Sequence, residues 1–189
     1  MVHRLVLWLA LLAPVAAAPL IVPAPALAQT AVQLTADERA GLEARVAETT
    51  RLVDAGQFGA MTDLIPPPLL STLAEQYGVD EAEARVAIRA GFQRMMSSIT
   101  ILEYVFHVDG ARAFVTPDGS RRYALVDLTT LMEAEGTRMR ALTPNLAFVD
   151  DGVWYIMDVS EPAQAAVLRQ AYPEFEGVTF EPGTMEFVD

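Results

Sequence analysis

The chain has 189 residues, with 13 basic residues against 25 acidic ones, which gives a formal net charge of -12. Every basic residue is an arginine, there is no cysteine, and the two histidines are His3 and His107. These counts exclude disulfide frameworks, thiolate nucleophiles and zinc ribbons. A negative charge without a basic run also predicts no nucleic-acid partner.

The first 28 residues form a segment distinct from the rest. Arg4 gives a positive start, Leu5 to Ala28 carries no charge, and the stretch ends in Ala26-Leu27-Ala28. This is the layout of a secretory signal peptide, so we expect cleavage after Ala28 and a periplasmic or secreted protein in a bacterium. The alternative is an uncleaved anchor, which would be the chain's only contact with a membrane, but four prolines between 14 and 25 disfavour a packed helix.

Residues 29–189 are predicted to form a single domain that begins with helices. After a short frayed lead over 29–34, Thr35-Ala-Asp-Glu38 reads as a capping box. It begins a helix over about 36–55, which Gly56 ends. Because the apolar residues of this segment recur at helical spacing, one side of the helix is expected to face the core.

A proline corner and a longer helix follow. Short helices are expected at 57–64 and 68–77, on either side of the three prolines 66–68. A second capping box, Asp80-Glu-Ala-Glu83, begins a helix that runs to about Met96. We interpret the Met95-Met96 pair as core filler. The helix has one apolar stripe, made of Ile88, Phe92, Met95 and Ile99.

From Ile99 onward the apolar period changes from 3.6 to 2, which predicts strands. We read Asp109-Gly110 as a type I′ hairpin turn, expect further turns near Glu135-Gly136 and at Asp150-Asp151-Gly152, and expect a bulge at Pro144. Ser160 begins a last helix to about Tyr172, and the tail 174–189 is expected to pack along the sheet. The five predicted strands are 99–108, 111–116, 121–132, 137–149 and 153–159.

This order predicts an α+β fold, in which N-terminal helices pack on one side of a five-stranded antiparallel meander that is followed by a C-terminal helix. The layout resembles the nuclear transport factor 2-like (SnoaL-like) superfamily. The resemblance rests on the run LVDAGQFGAMTDLIPP, into which the first helix leads, on a long helix directly before the strands, and on DGVWYIM in a late strand. It implies a curved sheet whose concave face receives the helices. A cystatin-like or other α+β sheet is the alternative.

Aromatic side chains on the strands are the candidates for a binding site. Tyr104, Tyr123, Trp154 and Tyr155 could line a pocket in the concavity of the sheet, although strand aromatics often serve core packing. Tyr104 and Trp154 are preferred because alternation turns each toward the helices. The same alternation places Ile101 on the face opposite Tyr104. The expected ligand is a small apolar molecule.

His107 is the only histidine after the leader, so any histidine-dependent chemistry depends on it. It shares a strand face with Glu103, but the two lie about 13 Å apart along the strand, too far for a catalytic dyad. The chain has no calcium loop, P-loop, G-x-S-x-G or dinucleotide motif. We therefore predict no catalytic residue, no metal site and no cofactor, and keep His107 as a binding candidate beside Tyr104 and Trp154.

Several strands are apolar on both faces, as in 123–128 and 153–157. Since the predicted helices cover one face, we expect the other to be buried either by the tail or by a second copy, and the second of these alternatives is a homodimer through the sheet. The favoured function is an exported, non-catalytic protein that binds a partner or a small apolar ligand. The alternatives are a small SnoaL-like enzyme that transfers protons with His107 or a buried carboxylate, and a structural subunit that works as a dimer.

Overall fold

The computed structural model describes residues 29–188. The predicted leader, with its cleavage site after Ala28, lies outside the described residues. The described chain has helices and an open, antiparallel seven-stranded sheet, which confirms the α+β class. Within this range no helix is both long enough and apolar enough to cross a membrane.

Two helices begin at the predicted capping residues, Thr35 and Asp80, whereas the last helix has Glu161 and not the predicted Ser160 as its N-cap. The α-helices are α1 (Ala36–Asp54), α2 (Pro67–Tyr77), α3 (Glu81–Met96) and α4 (Pro162–Ala171), with a 3-10 helix at Phe58–Leu64 between α1 and α2. The Thr35 hydroxyl accepts the Glu38 N–H, and the Glu38 carboxylate accepts the Thr35 N–H. At α3 the Asp80 carboxylate accepts the Glu83 N–H. These side chains satisfy N–H groups that the first turn of a helix leaves unpaired.

A long central hairpin organises the sheet. The strands are β1 (Thr30–Val32), β2 (Ile99–Phe106), β3 (Arg112–Val115), β4 (Arg122–Ala134), β5 (Thr137–Asp150), β6 (Val153–Asp158) and β7 (Thr184–Val188). β4 and β5 pair with each other, β2 and β3 lie end to end along the outer side of β4, and β6 and β7 do so along β5. β1 pairs with β3, so part of the lead that was expected to be frayed is an edge strand.

The predicted hairpin at Asp109-Gly110 is wrong. β2 and β3 both run antiparallel to β4, so the chain keeps its direction through a 3-10 turn at Val108–Gly110. A type I′ turn needs positive φ at both central residues, and Gly110 does not have it. Positive φ at both residues occurs instead at Glu135-Gly136 and Asp151-Gly152, which join β4 to β5 and β5 to β6.

The bulge predicted at Pro144 is also wrong. Pro144 lies opposite Asp127 in an unbroken β4–β5 ladder. On its other side, β7 pairs with β5 only as far as Leu142 and β6 only from Asn145. A proline is tolerated in this central strand because its missing N–H faces the gap between two shorter strands.

Helical segments cover both faces of the sheet, whereas the sequence predicts cover on one. On one face, here called the α1 face, Leu42 of α1 packs against Ala124, Val126 and Ala147. On the opposite α4 face, Tyr123, Leu125, Leu146 and Phe148 pack against residues of α4 and the tail, namely Leu168, Tyr172, Phe175 and Val178. The tail therefore packs along the sheet as predicted. A single chain accounts for the doubly apolar strands in this half of the sheet, and the homodimer stays a prediction.

Candidate functional site

An apolar cavity of about 280 Å³ lies between the helices and the α1 face of the sheet. Its wall is almost entirely apolar, and the described part of that wall holds no charged side chain. The helical side of the wall is formed by Val53, Phe58, Met61, Phe92, Met95 and Met96. The sheet side is formed by Ile99, Ile101, Tyr104, Thr130 and Met132. A partly open apolar cavity of this kind suits an uncharged, apolar occupant.

The 3-10 helix Phe58–Leu64 supplies Phe58 and Met61 to the cavity, and arginines of α3 hold it in place. The guanidinium of Arg89 donates to the Asp63 carboxylate at 2.8 Å, and that of Arg85 donates to the Thr62 carbonyl at 3.0 Å. The turn from α1 into this segment passes through Gly56, whose φ of +64° favours glycine. Charge-assisted hydrogen bonds therefore connect the 3-10 helix, which forms this part of the cavity wall, to α3.

A β-bulge in β2 determines which side chains reach the cavity. The β2–β4 register shifts between Ile101 and Glu103, which leaves Leu102 without a cross-strand partner in the described sheet. Ile101 therefore lies opposite Met132, and Tyr104 opposite Thr130, all on the cavity side. The prediction that Ile101 and Tyr104 face opposite sides is wrong, because the extra residue of a bulge reverses strict alternation.

Of the binding candidates Tyr104, Trp154 and His107, Tyr104 lies at the cavity. Its ring packs edge-on against Phe106, with the ring centroids 5.5 Å apart. Burial, and to a lesser extent the negative charge of Asp158, raise the pKa of Tyr104 to about 12. The phenol therefore stays neutral at physiological pH, where it can donate a hydrogen bond but cannot supply a negative charge.

Trp154 and His107 lie elsewhere. Trp154 packs beneath α1, where a Cβ atom built on Gly41 would stand 2.3 Å from the indole Nε1, so it belongs to the contact between α1 and the sheet. His107 is exposed, and its Nε2 lies 2.8 Å from the Thr129 hydroxyl. The other two aromatic candidates, Tyr123 and Tyr155, lie in or against the core of the α4 face.

The described wall of the cavity provides apolar contact surface and contains no carboxylate or imidazole. Proton transfer by His107 would need the imidazole in the cavity beside a carboxylate, and the imidazole lies outside it. In the described range, no cluster of three or more histidines, aspartates and glutamates could hold a metal ion. The two hydroxyl-bearing residues of the wall, Tyr104 and Thr130, are both on the sheet side.

The residues that the sequence reasoning missed are methionines. Met61, Met95, Met96 and Met132 all line the cavity. The interpretation of Met95 as core filler is wrong, since this side chain is 51% exposed. The sequence did contain a signal for the cavity lining, because Phe92, Met95 and Ile99, which share the predicted apolar stripe of α3, all line the cavity. Unbranched thioether side chains adapt to irregular apolar occupants.

Comparison of the chain with models of protein families, with curated proteins and with solved structures gave no match. The resemblance to the nuclear transport factor 2-like superfamily therefore stays a prediction based on the quoted residues.

Proposed function

We propose that this chain is an exported, non-catalytic protein that binds a small apolar molecule in the cavity. The observation that carries the proposal is an apolar volume of about 280 Å³ whose described wall has no charged side chain. The proposal takes the sheet as curved around the helices, as the resemblance to the nuclear transport factor 2-like superfamily implies. It also takes the leader as a cleaved signal peptide, which places the protein in the periplasm or outside the cell.

The volume and chemistry of the wall indicate the size and character of the ligand. At the packing density of protein interiors, a cavity of about 280 Å³ holds roughly 200 Å³ of ligand. That corresponds to a molecule of two or three fused rings, or to a medium-length alkyl chain. Each methylene that leaves water contributes about 0.8 kcal/mol, whereas a buried anion would find no cation in the described wall.

Titration with 1-aminoanthracene, an uncharged fluorescent probe, tests the proposal on protein expressed from the full chain with its leader. We expect saturable binding by the unsubstituted protein. Ile101→Trp fills the cavity and is expected to weaken binding at least tenfold. Val105→Trp is the matched control, because Val105 lies in the same strand but is exposed on the α4 face, and it should leave binding unchanged.

A second variant guards against misfolding of Ile101→Trp. Met132→Gln keeps the length of the side chain but places an unpaired amide in the apolar wall, which costs binding energy. It too should bind the probe more weakly, while circular dichroism shows native secondary structure. If the unsubstituted protein does not saturate with the probe, or if Val105→Trp and Ile101→Trp behave alike, the cavity is not a binding site and the proposal is overturned.

The two other predicted functions receive less support. The proton-transfer alternative has neither of its expected bases at the cavity, since His107 is exposed and hydrogen-bonded to Thr129 and the described wall holds no carboxylate. The structural-dimer alternative loses part of its motivation, because α4 and the tail bury the second face of the sheet near Phe148. Sizing chromatography of the purified protein measures the oligomeric state directly.

A further inference from the structure

Two rows of side chains continue the floor of the cavity to the free edge of the sheet. Paired residues in adjacent strands point to the same face, and the pairs run from β2 through β4 and β5 to β7. The first row contains Ile101, Met132, Met139 and Phe187. The second row contains Tyr104, Thr130, Ala141 and Met185. The β2 and β4 members of both rows line the cavity.

The outer ends of both rows are exposed although they are apolar. Phe187 is 79% exposed and Met185 is 63% exposed. Neither row contains a charged side chain, whereas the opposite face of β5 and β7 carries the ion pair between Arg140 and Glu186 at 3.8 Å. Adjacent apolar side chains left in water next to an apolar cavity are typical of a binding surface.

We infer that Met139, Met185 and Phe187, here called the edge strip together with the buried Ala141 beside them, extend the cavity into a binding site for an elongated hydrocarbon chain. This inference rests on the proposed function and narrows the ligand from any small apolar molecule to a linear alkyl or acyl chain. One end of the chain fills the cavity, and the remainder lies across β5 and β7. The three strand spacings between β2 and β7 span about 14 Å, the length of an extended chain of roughly a dozen carbons.

A hydrocarbon chain fits the edge strip better than a second copy of this protein does. A stable protein interface buries about 800 Å² on each partner, and four side chains supply only a fraction of that area. The strip is also continuous with the cavity floor through Met132 and Met139, which lie opposite each other. A narrow apolar strip that begins in an apolar cavity matches the shape of a chain.

Displacement of 1-aminoanthracene by the alcohols 1-hexanol, 1-octanol, 1-decanol and 1-dodecanol tests the inference. We expect affinity to rise about fourfold per added methylene, and to keep rising for the two longest alcohols. Phe187→Ser and Met185→Ser should each weaken the binding of 1-dodecanol at least fivefold and leave the binding of 1-hexanol unchanged. Leu142→Ser is the matched control, because Leu142 is exposed on the opposite face of β5, and it should change neither affinity.

The outcomes separate this inference from the proposed function. If the probe binds but Phe187→Ser leaves the affinity for 1-dodecanol unchanged, or if affinity stops rising at 1-octanol, the edge strip takes no part and only the inference is overturned. If the probe does not bind, the proposed function and the inference both fail. If Phe187→Ser converts a dimer to a monomer in sizing chromatography without weakening 1-dodecanol, the edge strip joins two copies instead.

Discussion

Gly41 of α1 lies directly against the indole ring of Trp154, so close that a Cβ atom on Gly41 would stand 2.3 Å from Nε1 and 2.6 Å from Cδ1. Inside a helix, glycine is less favourable than alanine by about 1 kcal/mol. A glycine is needed at position 41 because α1 approaches β6 so closely that a larger side chain would overlap the indole ring. Trp154 is also the only tryptophan after the leader, so its fluorescence reports on the contact.

Gly41→Ala is predicted to destabilise the fold by about 1–3 kcal/mol, because the added methyl group overlaps the indole and forces α1 and β6 apart. Urea unfolding followed by Trp154 fluorescence measures the change. Gly91→Ala in α3 is the matched control, since a Cβ atom there meets nothing within 4 Å. It should stabilise the protein by about 0.5–1 kcal/mol through helix propensity alone. Equal effects of the two variants would show that Trp154 does not restrict Gly41.

The elements that the sequence predicts well depend on local chemistry. Capping by Thr35 and Asp80 involves residues three positions apart, and the turns at 135–136 and 151–152 need only two residues that accept positive φ. These signals lie within a few residues of the structure that they produce. The helix starts and these two hairpins could therefore be predicted.

The features that the sequence does not predict depend on distant partners. Asp109-Gly110 has the composition of a hairpin turn, but the 13-residue strand β4 is long enough to pair with β2 and β3 in turn. The bulge at Leu102 has no local signature, and it reverses the face of Ile101. Cover on both faces depends on where α4 docks, which periodicity does not specify.

The candidate site was predicted in part for the same reason. Period-two alternation correctly turns Tyr104 and Trp154 toward the α1 face. It cannot tell which of them α1 covers, and the helix packs on Trp154 and leaves the cavity beside Tyr104. The methionine lining was missed because a methionine stripe has the same pattern whether it fills a core or surrounds a cavity.

The predicted cleavage after Ala28 can be checked by measuring the intact mass of the exported protein. If residues 1–28 are a cleaved signal peptide, protein recovered after export begins at Gln29. Ala28→Tyr places a bulky side chain beside the cleaved bond, where small residues are required, and should prevent cleavage at this position. Leu27→Tyr is the matched control, since the middle residue of Ala-Leu-Ala is not restricted in size. An exported wild-type protein that keeps its first 28 residues would contradict the prediction.

The Tyr172 hydroxyl donates to the Asp150 carboxylate at 2.9 Å, while the Arg121 guanidinium lies over the Tyr172 ring at 5.2 Å. Tyr172→Phe keeps the ring and loses the hydrogen bond to a charged group, so we expect a loss of about 1–3 kcal/mol in the free energy of unfolding at pH 7. Urea unfolding measures it. A neutral effect would mean that Arg121 alone satisfies Asp150.

The same variant carries a prediction at alkaline pH. Burial, followed by the hydrogen bond to Asp150, raises the pKa of Tyr172 above its ordinary value of 10. The raised pKa stabilises the fold below pH 10, and this contribution is lost as pH rises further, because the unfolded state then releases the proton first. Between pH 10 and pH 11 the wild-type protein should lose stability more steeply than Tyr172→Phe does. If the stability of the two proteins falls with the same slope between pH 10 and pH 11, the pKa of Tyr172 is not raised by folding.

The pKa of Glu38 is shifted in the opposite direction, so its effect on stability is expected at acidic pH. Its carboxylate accepts from the Arg122 guanidinium at 2.7 Å, and this hydrogen bond is the main reason that the pKa of Glu38 lies below its ordinary value of 4.5. The lowered pKa contributes stability above pH 4.5, which is lost as pH falls below that value. Glu38→Gln should cost less than about 1 kcal/mol at pH 7, since the pair is partly exposed and screened by water.

The charge effect of Glu38 can be separated from its role in the capping box. Glutamine still accepts the Thr35 N–H, so the difference between Glu38→Gln and the wild-type protein should close as urea unfolding is repeated from pH 5 to pH 3. Glu43→Gln is the matched control on the same helix, where Glu43 lies 3.8 Å from Arg39 in an exposed pair, and it should change stability little at any pH. If the difference for Glu38→Gln persists at pH 3, glutamine caps α1 less well than glutamate, and the ion pair with Arg122 is not its source.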